Sequence, residues 1–145
     1  MAKNTKGVSE TVTENIFREF YGSSTFIEKS AIPSELGFQS KKNSSSSNGY
    51  PDFLLEEEDY IIVVEAKATS QNDAIVEVQH YMQKNNVTKD IIGIAVSGQK
   101  LDELKVDYFL KTNDSNICLN IQENSSLLTL KNIYNIYWQK RYGES

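Results

Sequence analysis

The sequence has one cysteine, Cys118, in 145 residues, so no intramolecular disulfide and no cysteine-rich zinc or iron–sulfur site can be built from it. It has one histidine, His80, which excludes a metal centre made of several imidazoles. Long apolar runs are missing as well. The longest strongly apolar stretch, Ile61 to Val64, is four residues, against the roughly 20 that a membrane helix needs. The opening residues, MAKNTKGVSE, lack the apolar segment of a signal peptide. A cytoplasmic protein without a membrane partner is expected. Positive charge is in deficit: 15 Lys and Arg against 20 Asp and Glu give a formal net charge of −5. That balance is not the electrostatic footprint of a dedicated nucleic-acid binder. What is present, 39% hydrophobic residues and only two prolines, fits one domain over residues 1–145 with a single core.

Residues 9–21 (SETVTENIFREFY) carry Val12, Ile16, Phe17 and Phe20 at helical spacing behind Ser9, a candidate N-cap, and the pattern stops at Gly22. Residues 25–32 are short and β-prone. Residues 39–49 (QSKKNSSSSNG) are polar with almost nothing to bury, and a mobile loop is expected there. Residues 51–57 and 59–68 read as two strands of an antiparallel hairpin, the second rich in β-branched residues. Residues 72–85 have helical spacing, with Asn72 or Asp73 as cap. The nearly all-apolar run 90–98 predicts a strand buried on both faces. Strands are expected at 106–111 and 117–122, with Cys118 buried in the latter, and a helix at 127–142. The order predicts an α/β fold with a mixed sheet flanked by helices.

The chemistry concentrates in NGYPDFLLEEEDYIIVVEAKA. Side chains alternate along a strand, so Glu65 and Lys67 share a face with Ile61 and Val63. With a two-residue turn at 57–58, or a four-residue one at 56–59, Asp52 lies opposite Val63 and diagonal to Glu65, close enough for both carboxylates to reach one ion. An odd-length turn puts Asp52 on the wrong face, so the arrangement demands an even one. Converging carboxylates repel unless a cation neutralises them, and all-oxygen ligation suits Mg²⁺ or Mn²⁺. A lysine beside that ion meets the negative charge that builds up on a phosphorus undergoing attack. The plainer alternative is a same-face ion pair of Glu65 and Lys67 at a sheet edge, with Asp52 a strand-start residue.

Pro51-Asp52 followed after a twelve-residue gap by Glu65-Ala66-Lys67 resembles the PD-(D/E)xK signature of the restriction-endonuclease-like nucleases. TENIFREFYG (13–22), GYPDFLL (49–55), VVEAKA (63–68) and IGIAVSG (92–98) look like successive blocks of the N-terminal nuclease domains fused to adenine-N6 methyltransferases in type IIG and related type I restriction enzymes. The similarity spans residues 9–112. The resemblance implies an αβββαβ core with a mixed sheet and a Mg²⁺- or Mn²⁺-dependent endonuclease acting on DNA. Asp52 and Glu65 resemble the family's metal ligands and Lys67 its catalytic lysine. Glu14 resembles the acidic residue of the first helix, with Glu10, one turn earlier, as a competitor. Many relatives carry Gln-x-x-x-Tyr on the helix after the lysine; here Tyr81 follows Glu77 at that spacing. Gln79, two residues before Tyr81, is a candidate contact to the site or to DNA.

The same resemblance implies partners: methyltransferase and target-recognition domains in the same or an associated chain, of which this would be the N-terminal part. A homodimer would serve double-strand cleavage. Lys41 and Lys42 in the polar loop are candidate contacts to the DNA backbone. Glu56 to Asp59 look like a metal cluster but fall at the hairpin turn, away from Glu65. Two alternatives stand beside the restriction reading. One is a stand-alone DNA repair or recombination nuclease of the same fold, and the other is a catalytically silent DNA- or protein-binding module.

Overall fold

A computed structural model describes residues 8–40 and 49–143 and resolves these patterns into three helices and six strands. They are α1 (Glu10–Tyr21), β1 (Ile27–Glu28), β2 (Phe53–Glu56), β3 (Tyr60–Lys67), α2 (Gln71–Gln83), β4 (Asp90–Ser97), β5 (Lys105–Lys111), β6 (Leu119–Ser125) and α3 (Leu130–Tyr142). The strands form one sheet in sequence order, with β3 and β4 parallel and every other neighbouring pair antiparallel. The architecture is α/β with a mixed sheet, as expected. No helix among the described residues is long and apolar enough to cross a membrane.

Local chemistry sets the helix ends. The Ser9 hydroxyl accepts the Val12 N–H at the start of α1, and Gly22, at φ 100°, closes it with its N–H on the Arg18 carbonyl. The cap of α2 is Ser70, which accepts the Asp73 N–H; Asn72 and Asp73 lie inside the first turn. Helix α3 starts behind Thr129, later than the sequence pattern suggests. The Tyr108 hydroxyl accepts the Leu128 N–H and donates to the Ser126 carbonyl, which holds that approach in a non-helical conformation.

Each face of the sheet has its own apolar layer. Phe17 of α1 and Ile133 and Tyr137 of α3 pack on Ile62, Val64, Ile92 and Ile94. Ala74, Val78 and Met82 of α2, with Ile32 and Phe38, pack on Ile61, Val63, Ile91 and Ala95. Burying a side chain of this size contributes about 1.5–3 kcal/mol. All eight residues of β4 are buried, as its continuous apolar run requires. Gly93 lets α2 come close: a Cβ there would lie 2.4 Å from the Met82 sulfur. By contrast β6 is an edge strand starting at Leu119. Cys118 precedes it and is half-buried, not enclosed in a strand as expected.

The hairpin turn has even length, but its register differs from the expected one. The Glu57 N–H donates to the Tyr60 carbonyl at 2.8 Å, leaving Glu58 and Asp59 as the two loop residues. Phe53 pairs with Val64, so the pairing is shifted two positions along β3. Tyr60 supplies the reason. It is 2% exposed, with its ring 4.5 Å from that of Tyr137, and burying it draws β3 to start at 60. A two-residue shift keeps every side chain on its face. Asp52 stands just before β2, and its N–H donates to the Val64 carbonyl at 2.9 Å and to Glu65 Oε2 at 3.0 Å, which sets it beside Glu65.

Candidate active site

One level of the sheet gathers ionisable side chains. The strand pairing ends at Glu28 with Phe53 and at Phe53 with Val64, and the next residues, Lys29 at the start of a 3₁₀ turn and Asp52 just before β2, lie beside Glu65. Glu65 pairs with Ala95 and Ala95 with Asp107, so Glu65, Ala95 and Asp107 form a row on the α2 face, with Asp52 and Lys29 beside its Glu65 end. The small Ala95 leaves room for Gln71 of α2, whose Nε2 donates to the Ala95 carbonyl and to Asp107 Oδ2 at 2.7 Å.

Asp52 and Glu65 are 6% and 4% exposed and are tied to each other's strands. Asp52 Oδ2 accepts the Ala66 N–H at 2.9 Å, and Glu65 Oε2 accepts the Asp52 N–H at 3.0 Å. The free Asp52 oxygen, Oδ1, is 3.1 Å from Lys29 Nζ. Helix α1, packed on the other face, brings Glu10 and Glu14 to the same place. One carboxylate oxygen from each of Glu10, Glu14 and Asp52 lies within 4.8 Å of the others, the one such grouping of metal-ligating side chains found among the described residues. Lys67 Nζ bridges Glu77 at 3.0 Å and Glu10 at 3.3 Å.

Two hydrogen-bonding residues fix α1 against the strand ends. Thr13, fully buried, has its hydroxyl 2.6 Å from the Gly98 carbonyl and 3.1 Å from that of Lys67. Gln99 Nε2 donates to Thr13 Oγ1 and to the Ser9 carbonyl, while its Oε1 accepts the Ser9 N–H. The position of Glu10 and Glu14 over Asp52 and Lys67 follows from this clamp.

The electrostatics show carboxylates in excess. Burial raises the Glu65 carboxyl well above the usual range, and the Asp52 charge and Glu77 push the same way. Burial and then Asp52 raise Glu14, against a lowering pull from Arg18. Partial burial works against a charged Lys67, but Glu77 and Glu10 outweigh it and raise its pKa, so it is an ammonium at any ordinary pH. Burial and the neighbouring Glu65 push the Tyr81 phenol up to about 12. An all-oxygen donor set that raises its own pKa values in the absence of a cation fits a hard divalent ion such as Mg²⁺ or Mn²⁺.

Of the residues expected at this site, Asp52, Glu65, Lys67 and Glu14 come together, and Glu10 joins Glu14. Glu65 stands beside the three-carboxylate group with its oxygen on the Asp52 N–H. Glu77 and Tyr81 of α2 face the site. Gln79, two residues from Glu77, lies about 160° around the helix from it, and half-buried. Lys41 and Lys42 fall outside the described residues. Of Glu56 to Asp59, Glu56 ends β2 and the other three line a larger cleft with Tyr60 and Tyr134 at the opposite end of β3. His80 lies on the surface with Nε2 2.9 Å from the Gln39 carbonyl. Sequence reasoning missed Lys29, Thr13 and Gln99. Gln79 and the spacing of Glu77 to Tyr81 are the signals the sequence offers on α2, and nothing local marks Lys29, which the 3₁₀ turn after β1 brings to Asp52.

Beside the carboxylates a cleft of about 250 Å³ is lined by Glu14, Arg18, Glu28, Lys29, Ser30 and Asp52. Arg18 is held there: Nε and Nη2 both donate to Glu28, Nη1 donates to Asn15, and Nη2 stands 3.6 Å from Glu14 Oε1. Comparison with protein-family models, with curated proteins and with solved structures finds no match to this chain.

Proposed function

We propose that this chain is a metal-dependent DNA endonuclease domain of the PD-(D/E)xK type, acting within a restriction-modification enzyme. The observation that carries the reading is the convergence of Asp52, Glu65 and Lys67, spaced as Pro-Asp and Glu-Ala-Lys, with the Glu14 and Glu10 carboxylates of α1 at one end of the hairpin. Asp52, Glu14 and Glu10 would hold Mg²⁺ or Mn²⁺, with Glu65 contributing once ionised. The bound cation supplies charge neutralisation at the phosphoryl oxygens and lowers the pKa of a water.

Lys67 remains protonated, so it serves as a hydrogen-bond donor and fixed positive charge, not as a general base. It orients the attacking water and stabilises the charge that develops on the phosphoryl oxygens. Glu77 and Glu10 hold its ammonium from two sides and restrict where it points. No side chain need form a covalent bond to the substrate. One site cuts one strand, so a double-strand break requires a second copy or successive nicks. The acidic chain should grip DNA weakly by itself, the rest of the grip coming from methyltransferase and target-recognition partners.

A second reading, a catalytically silent binding module, is favoured by the ion pairs themselves: Lys29 and Lys67 already partner Asp52, Glu10 and Glu77 within the chain. Nicking of supercoiled plasmid with Mg²⁺ or Mn²⁺ separates the two. Wild type should nick, and Asp52→Ala and Lys67→Ala should lose about 100-fold or more in rate. Equal nicking by all three proteins refutes the assigned site.

A further inference from the structure

We propose that Lys29 is a tethered counterion: it occupies Asp52 while the site holds no divalent cation and passes to the substrate phosphate when one binds. Binding of the cation and of the phosphodiester are then coupled through one side chain. This inference rests on the metal-dependent reading above.

Three observations lead to it. The first is which oxygen Lys29 holds. Asp52 Oδ2 is committed to the Ala66 N–H at 2.9 Å, and Lys29 Nζ sits 3.1 Å from Oδ1, the oxygen left for a ligand. The second is the contrast in freedom between the partners. The Lys29 side chain is 58% exposed and that of Asp52 is 6% exposed, so the ammonium can swing on its four-carbon stem while the carboxylate stays fixed. The third is that the other cations near the carboxylates are each held by several partners. Arg18 donates to both Glu28 oxygens and to Asn15 and stands 3.6 Å from Glu14, and Lys67 is held twice, by Glu10 and Glu77.

A divalent cation on Asp52 Oδ1 and an ammonium in contact with the same oxygen repel each other, so Lys29 must leave as the cation arrives. The displaced ammonium needs an anion. The cleft it lines opens beside Asp52, where the phosphate of a bound strand would lie. Without DNA, Lys29 opposes the cation; with DNA, it is satisfied and the opposition disappears. By reciprocity the cation improves DNA binding by the same factor.

The test is titration with Mn²⁺, followed by the electron paramagnetic resonance of the free ion, with and without a phosphorothioate duplex that resists cleavage. Wild type, Lys29→Met, Lys29→Arg and Asp52→Asn are compared, and far-ultraviolet circular dichroism establishes that each is folded. Lys29→Met should bind Mn²⁺ about tenfold more tightly than wild type in the absence of DNA, a coupling of ordinary size. The duplex should tighten Mn²⁺ binding to wild type and to Lys29→Arg by a similar factor and leave Lys29→Met unchanged. If Asp52→Asn loses Mn²⁺ but Lys29→Met matches wild type in both conditions, the counterion role is wrong and the metal site stands. If wild type and Lys29→Met both bind no Mn²⁺, the metal reading and this inference fall together.

Discussion

Thr13 links the fold to the site, and replacing it with valine separates the two contributions. Valine keeps the volume and branching and removes the hydroxyl. In the native chain that hydroxyl has one proton to give. It donates to the Gly98 carbonyl at 2.6 Å, lies 3.1 Å from the Lys67 carbonyl, and accepts from Gln99 Nε2 at 3.1 Å. The site is fully buried. Losing the net hydrogen bond costs about 1 kcal/mol, and leaving a buried carbonyl without that donor costs about 1–3 kcal/mol more. Because Gln99 Nε2 can still reach the Gly98 and Ala68 carbonyls, the lower part of that range applies, and the total is about 2–3 kcal/mol. Urea denaturation reads this as a fall in midpoint of about 1–2 M at the slopes usual for small domains. Thr13→Ser keeps the hydroxyl and drops a methyl, so it should cost about 1 kcal/mol. Folded Thr13→Val should also bind Mn²⁺ less tightly, because Glu10 and Glu14 lose their fixed position over Asp52. A loss below about 0.5 kcal/mol in Thr13→Val, or equal losses in the two variants, refutes the clamp.

Other expectations follow from particular contacts. Asp90, almost buried, accepts from the Tyr137 hydroxyl at 2.7 Å, the Arg141 Nε at 3.0 Å and the Asn113 N–H at 2.7 Å. Asp90→Ala should cost about 3 kcal/mol in thermal or chemical denaturation, and a cost under about 1 kcal/mol would show that α3 is held by apolar packing alone. Gly93→Ala places a methyl against the Met82 thioether and should destabilise by about 1–3 kcal/mol. In a Met82→Ala background, itself destabilised by the lost buried side chain, most of the added cost of Gly93→Ala should vanish, a coupling that a double-mutant cycle reads. Glu65 has its folded pKa raised above the ordinary 4.5, so its protonated form favours folding. That contribution is complete below 4.5 and is lost as pH rises through the folded value. In EDTA, wild type should therefore melt higher at about pH 5.5 than at about pH 8, whereas Glu65→Gln should show a smaller difference. Identical pH slopes in the two proteins would contradict the burial of an ionisable Glu65.

Periodicity carries the element order because each element buries a face. The continuous run at 90–98 and the Phe17 and Val78 stripes left few alternatives, and the α/β reading came from them. Boundaries were harder where tertiary contacts decide. Tyr60 enters the core beside α3 and resets the hairpin turn, and the Tyr108 hydroxyl holds residues 126–128 out of a helix. The parity of the hairpin was legible because an odd turn would put Asp52 on the face away from Glu65; its offset was not, because a two-residue slip preserves every face. The carboxylates and Lys67 were legible because they stand close together on one hairpin. Lys29 was not, since β1 is two residues long and nothing local says that it pairs with β2. Thr13 and Gln99 read as an ordinary helix residue and a loop residue until the end of β4 is set beside the start of α1.

The proposed metal centre is tested most directly by locating Mn²⁺ in a crystal through its anomalous scattering. A peak within coordination distance of Asp52 and of Glu14 or Glu10, with Lys29 withdrawn from Asp52, is the expected result. No peak at these carboxylates, or one only at the Glu56 to Asp59 turn, would contradict it.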